Sequence, residues 1–220
     1  MENAKILAPV AERFDFKKVV TLKVGSEKEK FLAFADALSC RSPFFKAALK
    51  DCWREGHSDE TALPEDHPET VATYLQFLQT GRLPLVPDVS STDTDDDKFE
   101  IQIELVLIEL CHLYVFAEKL QNVSTKNAVL RAFLEVHLPC GGKYTLSGPT
   151  SVSIIYKGTP SGSPARSMFV DIYKSMAQAM DLGDLNWHKD FLVHLARALL
   201  DEVPKPLEID DYLEKRDQSL

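Results

Sequence analysis

Leu38-Ser39-Cys40-Arg41-Ser42-Pro43-Phe44-Phe45-Lys46-Ala47-Ala48-Leu49 is the stretch whose reading decides the fold. Its centre, Ser42-Pro43, starts a helix. The Ser hydroxyl can accept a hydrogen bond from an N–H of the first turn, and Pro loses nothing at the first helical position, where its missing N–H would be unpaired anyway. Phe44, Phe45, Ala48 and Leu49 then give that helix an apolar face.

Working back toward the N-terminus, Val19-Val20-Thr21-Leu22-Lys23-Val24 is β-branched and partly alternating, which predicts a strand. Gly25-Ser26 turns the chain into a second short strand, Phe31 to Phe34, so the domain opens on a hairpin. Glu2 to Phe16 carry only a modest helical pattern, with Ile6, Val10 and Phe14 spaced by fours. Working forward, a second helix opens near Asp66-His67-Pro68-Glu69. Val71, Tyr74, Leu75 and Leu78 follow at helical spacing, and Gly81 supplies the stop. Pro84 to Lys98 is rich in Pro, Ser and Asp. It reads as a solvated insertion into a surface connection, because it has nothing with which to bury itself.

The strongest helical pattern follows. Val106, Leu110, Leu113, Ala117 and Leu120 line one face, flanked by Leu107, Tyr114 and Phe116. So wide an apolar arc predicts burial on most sides. Another helix is expected over roughly Thr125 to Val136, before Pro139 and Gly141-Gly142. Val152 to Tyr156 looks strand-like. Ser163-Pro164 then repeats the helix-start signal, with Phe169, Ile172, Tyr173, Met176 and Met180 running to Gly183. Asn186 is the expected cap of a final helix carrying Phe191, Leu192, Leu195 and Leu199, which ends before Pro204. The predicted class is α+β, a small β-sheet flanked by a cluster of α-helices.

Composition narrows the function. A net charge of −9 over 220 residues argues against nucleic acid, whose binding is driven largely by Lys and Arg releasing counterions. The same charge argues against anionic lipid. The longest apolar stretch, Ile101 to Ala117, is interrupted by Glu104, Glu109 and His112, too polar for a membrane span. The N-terminus lacks the basic and apolar regions of a secretory signal, and the four cysteines form no CxxC pair. Cytoplasm or nucleus is therefore the expected location.

Catalytic chemistry should leave a pattern, and the familiar ones are missing: no glycine-rich phosphate loop, GxSxG elbow or HExxH. Cys111-His112 would point about 100° apart on a helix, which predicts a core cysteine beside a rim histidine rather than a nucleophile and its base. His137 and Cys140 have a tolerable gap for metal but no second pair to complete a tetrahedral site. Asp93, Asp95, Asp97 and Glu104 fall at calcium-loop spacing, yet Lys98 stands where the sharp turn needs Gly. The chain is expected to be no enzyme and to carry no cofactor or metal.

Five pieces, in order, resemble the BTB/POZ family, and most closely its fungal stand-alone branch. Val19 to Gly25 looks like the opening strand, and Leu38 to Leu49 is similar to the signature "L-x-x-x-S-P-x-F-x-x-x-L" helix pair. Leu63-Pro64-Glu65-Asp66-His67-Pro68-Glu69 resembles the "LPEDDPE" turn, Phe77 to Leu83 the "FLYTGRL" helix end, and Leu113 to Gln121 "LYVLADKLQ". Tyr156, Gly158-Thr159, Ser163 and the helix from Arg166 to Tyr173 resemble the C-terminal extension of fungal members. The resemblance implies an N-terminal segment over 1–16, a BTB/POZ domain over 17–136 with its acidic insertion at 84–98, a helical extension over 137–203 and a tail over 204–220.

It also implies a function: protein–protein interaction, as an adaptor that delivers partners to a cullin-three ubiquitin ligase. The alternative is a scaffold or transcription-associated oligomerisation protein with no ligase role. Cullin-binding members carry a hydrophobic-x-Glu step after this helix, and Trp53-Arg54-Glu55 stands there. Trp53 would anchor in a pocket and Glu55 would hydrogen-bond at its rim. In the plainer reading Trp53 packs inward and Glu55 is solvated. Val19, Phe34 and Ala35 stand where dimeric animal members carry an Asp, a His and a basic residue. The resemblance therefore implies a drier site and a weaker case for the swapped dimer, although homo-oligomers stay open.

Overall fold

The computed structural model describes residues 15–54, 60–85, 96–137, 146–175 and 186–200, with backbone alone at 50–54 and 96–100. They form two compact units that divide between Thr80 and Gly81. Across both, the class is α+β, with a three-stranded sheet and eight helices among the described residues.

In the first unit β1 (Val19–Val24) pairs antiparallel with β2 (Glu29–Phe34), from Val19↔Phe34 to Val24↔Glu29. β3 (Glu60–Leu63) lies on the other side of β1, parallel to it, so the sheet order is β2-β1-β3. The second strand begins two residues before the expected Phe31. Lys28 closes the turn by donating its N–H to the Gly25 carbonyl (3.2 Å), and pairing can resume at once. Gly25 sits at φ +72, in the left-handed region that glycine enters at little cost.

A parallel neighbour needs a crossover, and α1 (Ala35–Ser39) with α2 (Pro43–Arg54) lies in that connection. The Ser42 hydroxyl accepts the Phe45 N–H at 3.2 Å, the predicted cap. α3 (Pro68–Thr80) follows and stops at Gly81, φ +68. Strand alternation sends Val20, Leu22 and Val24 inward, where Leu38, Phe45, Leu63, Val71 and Tyr74 are also buried.

The second unit is helical: α4 (Asp96–Lys119), α5 (Val123–His137), α6 (Pro149–Gly158), α7 (Pro164–Ser175) and α8 (Lys189–Leu200). α4 starts at Asp96, so the last three residues of the expected loop are helical; residues 86–95 lie outside the described residues. The expected arc is buried from Leu107 onward, at Leu107, Leu110, Leu113, Tyr114, Phe116, Ala117 and Leu120, while Ile101 and Leu105 before it are exposed. Asn122 caps α5, its Oδ1 accepting the Thr125 N–H at 3.0 Å.

Two expectations are corrected. Val152 to Tyr156 is no strand but the body of α6. Pro149 occupies the first turn, and Ser151, Val152, Ile155 and Tyr156 bury one helical face, so packing overrides the β-branched side chains. The cap of α8 is His188 rather than Asn186: its Nδ1 accepts the Asp190 N–H (3.3 Å) and its carbonyl the Leu192 N–H (3.2 Å).

The end of α6 lies hard against α4. A Cβ at Gly158 would stand 2.5 Å from both methyls of Val115, so only a hydrogen fits. Gly158→Ala is expected to cost about 1–3 kcal/mol in urea unfolding, the usual range for overpacking. Val115→Ala in the same chain should recover most of it.

Candidate functional site

The groups with chemical potential in the second unit are used for structure. Cys111 is fully buried, and burial pushes its thiol far above the ordinary range, so it supplies no thiolate nucleophile. Cys40 is exposed, yet partial desolvation still raises its thiol against the opposing pull of Arg41.

His137 is buried at the end of α5. Its Nδ1–H donates to the Phe133 carbonyl at 2.6 Å, which fixes the tautomer, and its Nε2 then accepts from the Ser147 hydroxyl at 3.0 Å. Both ring nitrogens are occupied, which leaves none for a metal; Cys140 lies outside the described residues. Tyr173 of α7 donates its hydroxyl to the Ser147 carbonyl, so α5 and α7 are tied through one residue. Asp97 to Glu104 lie within α4, and a continuous helix cannot wrap a calcium ion. Among the described residues no group of three His, Cys, Asp or Glu could hold a metal ion.

Burial holds the His137 imidazole below its ordinary pKa, against the raising effect of the Phe133 hydrogen bond. The neutral form is the one the fold accepts. Its stabilisation is therefore present above the unfolded value of about 6.5 and is lost as pH falls toward the lowered folded value. Within that window His137→Gln should flatten the pH dependence of urea stability by up to about 1.4 kcal/mol per pH unit. Identical slopes for wild type and variant between pH 7.5 and 5.5, in values on the order of those usual for histidine titration, would contradict this.

The first unit shows a different kind of site. Pleating puts Val19, Thr21 and Lys23 of β1 on one face with their partners Phe34, Leu32 and Lys30 of β2. This face looks outward. Leu32 is 70% exposed and Val19 39%, and Phe16, which lies edge-on to Phe34 with ring centroids 5.1 Å apart, is 61% exposed. Lys23 is held by Glu60 at 2.6 Å, on the β3 side of the face. Of the three positions at which the sequence departs from the dimeric animal members, Val19 and Phe34 face each other across the ladder, and Ala35 is buried. No charged group occupies any of them.

Trp53 and Arg54 end α2, where the backbone alone is described, and Glu55 lies outside the described residues. The N-terminal pattern of Ile6, Val10 and Phe14 lies outside them too. Leu32 and Phe16 were not singled out in the sequence. In Phe31-Leu32-Ala33-Phe34 both alternate sets are apolar, so periodicity gives no hint which set faces outward.

No protein-family model matches the chain, and no curated protein matches it. The class that stands is mixed α+β, with one small sheet among the described residues. No helix among the described residues is long and apolar enough to cross a membrane.

Proposed function

We propose that the chain is a protein–protein interaction adaptor of BTB/POZ type, working in the cytoplasm or nucleus without catalytic chemistry. The observation that carries this reading is the outward face of the β1–β2 hairpin. Leu32, Val19 and the Phe16–Phe34 pair form an outward apolar strip, a patch of the kind that marks interaction surfaces. Support comes also from the five ordered sequence pieces resembling the family, and from the small sheet with helices that the resemblance implies.

Within this reading Trp53, Arg54 and Glu55 are the cullin-three contact. Trp53 and Arg54 are the last two residues of α2, and Glu55 follows them in the sequence, outside the described residues. Trp53→Ala with Glu55→Ala in the full chain is expected to abolish retention of cullin-three in a pull-down and to lengthen the half-life of the bound partner. Unaltered retention and half-life would overturn the ligase role and favour a scaffold that assembles proteins without ubiquitin transfer.

A further inference from the structure

We infer that the free edge and outer face of β2 bind an extended segment of a partner protein, as an added strand, with acidic residues at one end and apolar residues at the other. This rests on the adaptor reading and names the partner's chemistry.

The backbone supplies the first argument. The Ala35 N–H donates to the Lys18 carbonyl at 2.9 Å, which continues the β1–β2 register one pair beyond Val19↔Phe34. Bonded and non-bonded pairs alternate along an antiparallel ladder. Ala33, Phe31 and Glu29 therefore turn their peptide groups toward β1, while Phe34, Leu32 and Lys30 turn theirs away. Among the described residues no strand lies on that side. The outward peptide groups are thus a template for another strand.

Side chains supply the second. The three residues with outward peptide groups also carry the outward side chains, because both alternate with period two. In order they read Lys30, Leu32, Phe34. Edge strands are commonly protected by charge, and Lys30 does this at one end only. Leu32 and Phe34 leave the other end apolar, continuous with Val19 and Phe16.

Charge supplies the third. Residues 15–34 hold Lys17, Lys18, Lys28 and Lys30 against Asp15, Glu27 and Glu29, with Lys23 already paired to Glu60, which leaves an excess of one positive charge in a chain of net −9. Lys17, Lys28 and Lys30 are exposed. A strand laid along β2 would meet an apolar position opposite Phe34, another opposite Leu32 and a carboxylate opposite Lys30, every second residue. Backbone hydrogen bonds give such a complex its affinity, and the alternate side chains give its specificity. The chain's own N-terminal residues 1–14 balance Glu2 and Glu12 with Lys5 and Arg13, so they lack the charge that this end of the face selects.

The test uses the full-length protein and a short labelled peptide with Ile, Val and Glu at alternate positions and Thr between them. Fluorescence anisotropy should show saturable binding that weakens with added salt, since exposed charge pairs are screened. Lys30→Glu should weaken it about tenfold by reversing the one facing charge. Leu32→Pro removes an outward N–H and leaves the β1–β2 ladder whole. It should bind about tenfold more weakly than Leu32→Ala, the worth of one lost hydrogen bond. Circular dichroism of each variant reports whether it has folded.

Four results would overturn the inference: no binding by wild type, whatever occupies the face; equal affinity for a peptide with Lys in place of Glu; equal affinity of Leu32→Pro and Leu32→Ala; or self-association of the chain that Leu32→Pro abolishes. None of these touches retention of cullin-three by Trp53 and Glu55, so failure here is distinguishable from failure of the adaptor reading.

Discussion

Phe191→Ala is expected to destabilise the second unit by about 3–5 kcal/mol, the range for deleting a buried aromatic ring. Phe191 is fully buried and is the anchor of α8. Its ring centroid lies 5.0 Å from Tyr173, 5.5 Å from Trp187 and 5.7 Å from Tyr156, with edge-on geometry to both tyrosines. Such pairs contribute about 0.5–1.5 kcal/mol each beyond the area they bury. Along α8 the other buried side chain is Leu195, and His194 adds a hydrogen bond between its Nδ1 and the Tyr156 hydroxyl at 3.1 Å.

The loss should be visible first as local release of α8. Trp187 packs on the removed ring, so its fluorescence should shift at lower urea than the main transition. Leu200→Ala is the control. That side chain is 84% exposed, and its removal should stay within about 0.5 kcal/mol. A change below about 1 kcal/mol for Phe191→Ala would mean that α8 is not anchored as described.

Arg166→Met should cost on the order of 2–4 kcal/mol, through hydrogen bonds rather than volume. A helix ends with carbonyls that have no partner within it. At the end of α6 the Arg166 guanidinium supplies partners. Nε donates to Thr159 Oγ1 at 3.0 Å, and Nη2 donates to the Tyr156 carbonyl at 2.6 Å and to that of Thr159. Thr159 passes the connection on, its hydroxyl donating to the Ile155 carbonyl at 2.6 Å.

The same guanidinium lies 4.8 Å from the centre of the Tyr156 ring, while burial pushes the Tyr156 hydroxyl up to about 12 despite the nearby positive charge. Arg166→Lys should recover little, because an ammonium cannot reach three acceptors in one plane or stack on the ring. Equal urea midpoints for Arg166→Lys and wild type would show that charge alone matters at this site.

The fold was legible where local chemistry and packing agree. Ser42-Pro43 starts α2 as read, and Pro68 and Gly81 bound α3, because a cap, a ring and a left-handed glycine act within a few residues. Local sequence misleads where tertiary contact decides. Val152, Ile154 and Ile155 favour a strand by themselves, but the buried face of α6 requires a helix there. Asn186 and His188 can both cap, and only the geometry before Lys189 selects His188.

Cys111 was legible as a core cysteine beside a rim histidine, because the apolar arc of α4 surrounds it. The candidate site was less legible: Phe31-Leu32-Ala33-Phe34 is apolar on both faces, and pairing with β1 alone decides which one meets water.

The central claim is that this chain acts by binding other proteins. Affinity capture with the tagged full-length chain, analysed by mass spectrometry beside the Trp53→Ala/Glu55→Ala chain, tests it most directly. The account predicts that wild type retains cullin-three together with at least one further protein in stoichiometric amount, and that the double substitution loses the cullin while keeping the other partner. Recovery of no protein above the tag-alone control would contradict it.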